Sequence, residues 1–177
     1  MNLPNKLTTF RVILIPFFVF FLFTGCVGEA GKYIALGIFA VASLTDLFDG
    51  KIARKYNLVT NFGKFMDPIA DKLLVSSALI SFVGLNRLQA WIVIILIARE
   101  FIISGFRLVA SDSGMAASWW GKFKTAFQMI MCILLIINIQ NNVFTVINNV
   151  FIYISLALSV ISLADYLIKN RKVISDM

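Results

Sequence analysis

Residues 33–85 read YIALGIFAVASL (33–44), TDLFDGKIARKYNLVTNFGKFMDPIADK (45–72) and LLVSSALISFVGL (73–85). Two apolar runs enclose a polar segment that gathers Asp46, Asp49, Asp67 and Asp71. Carboxylates at the edge of a hydrocarbon layer are costly and mark function more often than decoration. The flanking runs set the class of fold. The chain has 177 residues, 60% of them hydrophobic and 14% charged, with 17 Phe. A soluble core of this size cannot hide so much apolar surface. Lipid can, and a spanning helix needs about 20 residues. Apolar stretches of that order lie near 10–27, 32–49, 68–85, 88–109, 120–140 and 143–168. The expectation is an all-α integral membrane protein of six transmembrane helices, forming a single domain over residues 1–177.

The short segment MNLPNKLTTFR (1–11) places Leu3, Leu7 and Phe10 at roughly helical spacing, so it reads as a juxtamembrane amphipathic helix on the membrane surface. Pro16 falls inside the first span, where neighbouring groups in a bundle can satisfy the freed carbonyl. TGCVGEAGK (24–32) and QNNVFTVINN (140–149) read as outer turns, and KYNLVTNFGKF (55–65) and SDSGMAAS (111–118) as cytoplasmic ones. Pro68 is expected in the first turn of the third helix, where its missing N–H is harmless.

The net charge of +7 is not a nucleic-acid footprint, because the cations follow membrane topology. In a six-span arrangement Lys6, Arg11, Lys51, Arg54, Lys55, Lys64, Lys72, Arg99, Arg107, Lys122, Lys124, Lys169, Arg171 and Lys172 fall toward one side, and Lys32 and Arg87 toward the other. That asymmetry places both termini and the aspartate segment in the cytoplasm. A basic inner face suits anionic headgroups and phosphorylated substrates. Cys26 and Cys132 are too far apart for a metal or redox motif, and there is no histidine. The absence of histidine excludes a Ser–His–Asp relay, a phosphohistidine and a histidine metal site. Chemistry must rest on carboxylates, cations and metal ions.

On a helix Asp46, Asp49, Gly50 and Ala53 share one face, and Asp67 and Asp71 share another at the start of the next helix. A helix–loop–helix hairpin would bring the faces together. Four anions at that range repel one another unless a divalent cation intervenes. Hard oxygen ligands favour Mg²⁺, with Mn²⁺ or another divalent cation as the alternative, and two ions are expected, bound through carboxylates and substrate phosphate oxygens. The competing explanations are interfacial ion pairs with Lys51, Arg54, Lys64 and Lys72, and a cation-transport site.

The string from Asp46 to Asp71, with Asp49, Gly50, Ala53, Arg54, Gly63 and Asp67 between them, resembles the signature of the CDP-alcohol phosphatidyltransferase family. The resemblance implies a six-helix membrane enzyme, usually a homodimer, that moves a phosphatidyl group from CDP-diacylglycerol to an alcohol and releases CMP. By position it implies that Asp46, Asp49, Asp67 and Asp71 hold the metal and that Asp71 is the catalytic base. Asp46, Gly50, Ala53 and Arg54 would bind the donor's cytidine diphosphate. LPNKLTTFR (3–11), AREFIISGFR (98–107) and GKFKTAFQ (121–128) resemble segments of bacterial phosphatidylglycerophosphate synthases, a subfamily whose acceptor is glycerol 3-phosphate. That likeness implies the bacterial inner membrane.

The residues themselves fit an anionic acceptor. Glu100, Ser104 and Arg107 share a helical face, as do Gly121, Lys124, Thr125 and Gln128. Arg107, Lys122 and Lys124 are the candidates for the acceptor's phosphate. Their alternative is topology alone, which requires basic residues here whatever the substrate. Other alcohols (inositol phosphate, serine, phosphatidylglycerol) would define a different phosphatidyltransferase.

Overall fold

Long apolar runs without an internal breaker favour helices, since a lipid-facing backbone must satisfy its own N–H and C=O groups. The computed structural model describes residues 3–24, 27–55, 61–109 and 119–171, with side chains given at 7–24, 27–45, 66, 69–106 and 119–171. Its elements are α1 (Leu3–Phe23), α2 (Ala30–Lys55), α3 (Asn61–Gly84), α4 (Ala90–Val109), α5 (Trp119–Ile137) and α6 (Asn142–Lys169). No strand occurs among the described residues. Of the described helices, α5 and α6 are each long and apolar enough to cross a membrane, and Leu7–Phe23 and Ala30–Thr45 are shorter apolar helices. The other expected spans carry charges within their helices, such as Arg99, Glu100 and Arg107 in α4.

Three boundaries differ from the sequence expectation. The surface segment at the N-terminus is continuous with the first apolar run, so α1 is one helix from Leu3 onward. The third helix begins at Asn61 rather than near Pro68, which leaves Pro68 inside α3 and not in its first turn. Asn61 and Gly63 suggested a loop, yet Phe62, Lys64, Phe65 and Met66 tolerate a helix, and one glycine costs only about 1 kcal/mol there. Likewise α6 takes up most of the stretch expected as the last outer turn, because Asn141 caps it: the Asn141 side chain accepts from the Val143 N–H at 3.1 Å. The turn at 111–118 lies outside the described residues.

The chain forms two compact units, Met1–Asn86 and Arg87–Met177. In the first, α1 packs on α2 and α3. Phe18 and Phe39 meet with ring centroids 5.7 Å apart, beside the fully buried Ala35, Ala42 and Ala78. Small residues let the helices approach closely. A Cβ added at Gly84 would sit 2.9 Å from the tip of the Phe23 ring, which is exposed and would have to swing aside. Arg11, buried, donates from Nε to the Ala42 carbonyl at 3.2 Å. In the second unit α6 packs on α5 and α4. Arg87, in the turn before α4, donates from Nη1 to the Leu135 and Ile136 carbonyls at 2.7 and 3.3 Å, capping the end of α5. In both units the outward faces are apolar: Ile13, Phe17, Phe20, Val41 and Ile80 in one, Ile94, Phe101, Val146, Tyr153 and Val160 in the other. Several polar side chains, conversely, are buried, among them Thr8, Arg11, Arg99, Lys124 and Gln128.

Candidate functional site

The aspartate segment is helical on both sides of residues 56–60. Asp46, Asp49, Gly50, Ala53 and Arg54 ride on the last turns of α2, and Asp67 and Asp71 on α3. The helical spacing keeps each set on one face of its helix, and α2 packs on α3. Asp71 is exposed. The side chains of Asp46, Asp49, Ala53, Arg54 and Asp67 lie outside the described ones, as does any geometry of the four carboxylates as a group. The donor set is purely carboxylate, and an all-oxygen set of hard ligands fits a divalent cation such as Mg²⁺.

The second unit holds a described polar centre. Lys124, only 1% exposed at its side chain, forms an ion pair with Glu100 Oε1 across α4 and α5. Arg99 Nη1 lies 3.5 Å from the same oxygen, and Arg99 Nη2 donates to Ser162 Oγ on α6. Gly121 lies beside this group: a Cβ there would be in ordinary contact with Arg99 Nη2 at 3.5 Å and Ser162 Oγ at 3.7 Å. Gln128, one turn beyond Lys124, is also buried, and on α6 Ser155, Ser159 and Ser162 line one buried face. Glu100 sets one negative charge between two buried positive ones, which offsets part of the cost of burying them in a medium that solvates charge poorly.

Of the three cations expected around an acceptor phosphate, the two with described side chains, Lys122 and Lys124, are not brought together. Lys122 is exposed, its ammonium 4.6 Å from the centroid of the Trp119 ring. Lys124 points into the interior. Two residues along a helix turn the side chain through about 200°, so the two lysines face opposite ways. Arg107 is on α4, but its side chain lies outside the described ones. Thr125, placed by sequence with Lys124 and Gln128, is exposed and donates to the Gly121 carbonyl at 2.9 Å. The sequence reading left the roles of Arg99 and Glu100 open and missed the serine face of α6. Spacings of four and three within an apolar helix were the available signal for that face.

The profile of the family described as CDP-alcohol phosphatidyltransferase matches residues 1–161. Among similar proteins, one from Bacillus subtilis is 46% identical over 149 residues, covering 77% of each chain. One from Haemophilus influenzae is 45% identical over 136 residues, covering 73% of this chain and 72% of its own. One from Escherichia coli K12 is 43% identical over 137 residues, covering 73% of each. All three are named CDP-diacylglycerol–glycerol-3-phosphate 3-phosphatidyltransferase.

Proposed function

This chain belongs to the CDP-alcohol phosphatidyltransferase family, and we propose that it transfers the phosphatidyl group of CDP-diacylglycerol to glycerol 3-phosphate, giving phosphatidylglycerophosphate and CMP. The observation that carries the reading is the Asp46–Asp71 signature within a chain that is 43–46% identical to relatives named for that reaction. We read residues 1–177 as one catalytic domain, since the family match runs through both compact units.

Family members generally depend on a divalent cation, and the residues fit one. Asp46, Asp49, Asp67 and Asp71 would hold Mg²⁺ or Mn²⁺, in one or two ions. Bound there, the cation neutralises pyrophosphate charge and acts as a Lewis acid. Gly50 and Ala53 leave room for the cytidine diphosphate, and Arg54 pairs with its phosphate oxygens. Asp71 takes the proton of the acceptor hydroxyl as the oxygen attacks the phosphorus that carries diacylglycerol. The bond from that phosphorus to the cytidylate oxygen breaks, and CMP leaves with the electron pair. Arg107 and Lys124 contact the acceptor's phosphate, and Lys122 contributes its field from the exposed side of α5. Residues 99–107 and 122–124 carry four cations, Arg99, Arg107, Lys122 and Lys124, and a single carboxylate, Glu100, a local excess of positive charge that suits an anion.

We further read the chain as six spans in a bacterial inner membrane, with both termini and the active site cytoplasmic, and as a homodimer. The tryptophans support spanning by the second unit. Arg87 ties the start of α4 to the end of α5, so Trp91 lies at one end of that unit and Trp119 and Trp120 at the other. The ends of α5 are about 28 Å apart, close to the hydrocarbon thickness, and tryptophan collects at both membrane interfaces. The test is CMP release by purified protein from CDP-diacylglycerol with a panel of alcohols, with Mg²⁺ and with chelator. Release with glycerol 3-phosphate alone, abolished by chelation, is expected. Release with serine or inositol phosphate instead, or ion flux without CMP, would overturn the assignment.

A further inference from the structure

We propose that Glu100 is an internal stand-in for the acceptor's phosphate, occupying the Lys124 ammonium between turnovers and giving it up when glycerol 3-phosphate binds. The inference rests on the reading above that Lys124 contacts that phosphate. Lys124 is only 1% exposed at its side chain, and its ammonium pairs with Glu100 Oε1. That same oxygen faces Arg99 Nη1 at 3.5 Å, so one anionic oxygen sits between two cations, the setting a phosphate oxygen needs. The partners differ in mobility. Lys124 and Arg99 are buried and Arg99 is further tied to Ser162, whereas Glu100 is 23% exposed and its second oxygen, Oε2, is bound by none of the described residues. Glu100 is therefore the member able to leave. A phosphate monoester carries about −1.5 to −2 charge at neutral pH, against −1 for the carboxylate, and has three oxygens to share between the cations. The exchange is favourable, but the carboxylate still competes.

Competition lowers apparent affinity by the fraction of molecules in which the ammonium is already taken. The benefit is structural: in the empty enzyme the carboxylate sets an anion against the buried Lys124 and Arg99 cations. Glu100 is thus a positioning residue that touches the substrate's site without touching the reacting atoms.

The test is Glu100→Gln, nearly isosteric and uncharged, alongside Lys124→Ala. In Glu100→Gln the Michaelis constant for glycerol 3-phosphate should fall by about threefold or more. Turnover and the Michaelis constant for CDP-diacylglycerol should stay within about twofold. Inorganic phosphate alone should raise the thermal midpoint of Glu100→Gln by more than it raises that of the wild type, because a ligand that binds only the native state stabilises it more at a given concentration the tighter it binds. This second measurement needs only the folded protein, not an active one. An unchanged or higher Michaelis constant in Glu100→Gln, with no added phosphate stabilisation, would overturn the stand-in. If Lys124→Ala leaves the Michaelis constant for glycerol 3-phosphate unchanged, the phosphate assignment itself fails. If Lys124→Ala raises it and Glu100→Gln does not lower it, only the stand-in is refuted.

Discussion

Replacing Arg87 with methionine should destabilise the second unit without touching catalysis. The last carbonyls of a helix have no intrahelical donor, and at the end of α5 Arg87 supplies one, at 2.7 Å from the Leu135 oxygen and 3.3 Å from that of Ile136. A hydrogen bond with a charged donor contributes about 1.5–3 kcal/mol, and a cation at a helix C-terminus about 0.3–1 kcal/mol more. Arg87 is only part-buried, so solvent takes over some of this role on removal. About 2 kcal/mol is a reasonable net loss. For a chain of this length that corresponds to a fall of roughly 4–8 °C in thermal midpoint. Arg87→Lys keeps the charge but loses the planar fork, and should fall about half as far.

The assay is thermal unfolding in detergent followed by tryptophan fluorescence, with Trp91 four residues away as reporter. Turnover measured well below the midpoint should be unchanged, because Lys124 lies about 16 Å along α5 from the capped end. An Arg87→Met midpoint within a degree of the wild type would refute the cap. Full recovery by Arg87→Lys would show that charge alone, not the two-carbonyl contact, is what matters.

Asp46→Asn, Asp49→Asn and Asp67→Asn should each cut turnover by on the order of a hundredfold or more while leaving the protein folded, and chelation should abolish wild-type activity until Mg²⁺ is restored. Near-wild-type rates in all three at limiting Mg²⁺ would remove these residues from the metal site. For the buried pair, Lys124→Met alone should cost about 3 kcal/mol, and the double variant with Glu100→Gln should cost less than the sum of the singles. Additive losses would mean that the two do not interact. For topology, single cysteines at Asn57 and Gln140, with Cys26 and Cys132 replaced, should be labelled by an impermeant thiol reagent outside intact cells at position 140 only. Labelling at 57 only would invert the orientation.

The helices were legible wherever apolar runs met turn-forming residues, as at Gly28, whose φ of +57° suits glycine, and at Asn138, with φ of +47°. The end of the α2–α3 connection was not, because Asn61 and Gly63 favour turns only locally and the neighbouring residues carry the helix through them. The aspartates stood out because carboxylates in so apolar a chain have few innocent explanations. Glu100 did not, since its partner is 24 residues away on another helix and only packing reveals the pair. The opposite facing of Lys122 and Lys124 was available from helical geometry alone, but counting both as cytoplasmic cations hid it.

Those two lysines also separate topology from binding. A positive-inside bias needs only exposed cations near a helix end, and Lys122 on the Trp119 ring answers it fully. Burying Lys124 costs desolvation that topology does not require, and so calls for a different cause. Salt distinguishes the two. The Debye length is about 10 Å at 0.1 M and about 3 Å at 1 M ionic strength, which removes an exposed charge's long-range pull and leaves a buried contact nearly intact. Lys122→Ala should therefore raise the Michaelis constant for glycerol 3-phosphate by about twofold at low salt, and this effect should vanish at high salt. Lys124→Ala should raise it about tenfold or more at both, as expected for a lost charge-assisted contact. Steady-state kinetics at two ionic strengths decide the matter. If both variants lose their effect in high salt, Lys124 acts through its field alone and its contact with the acceptor's phosphate is refuted.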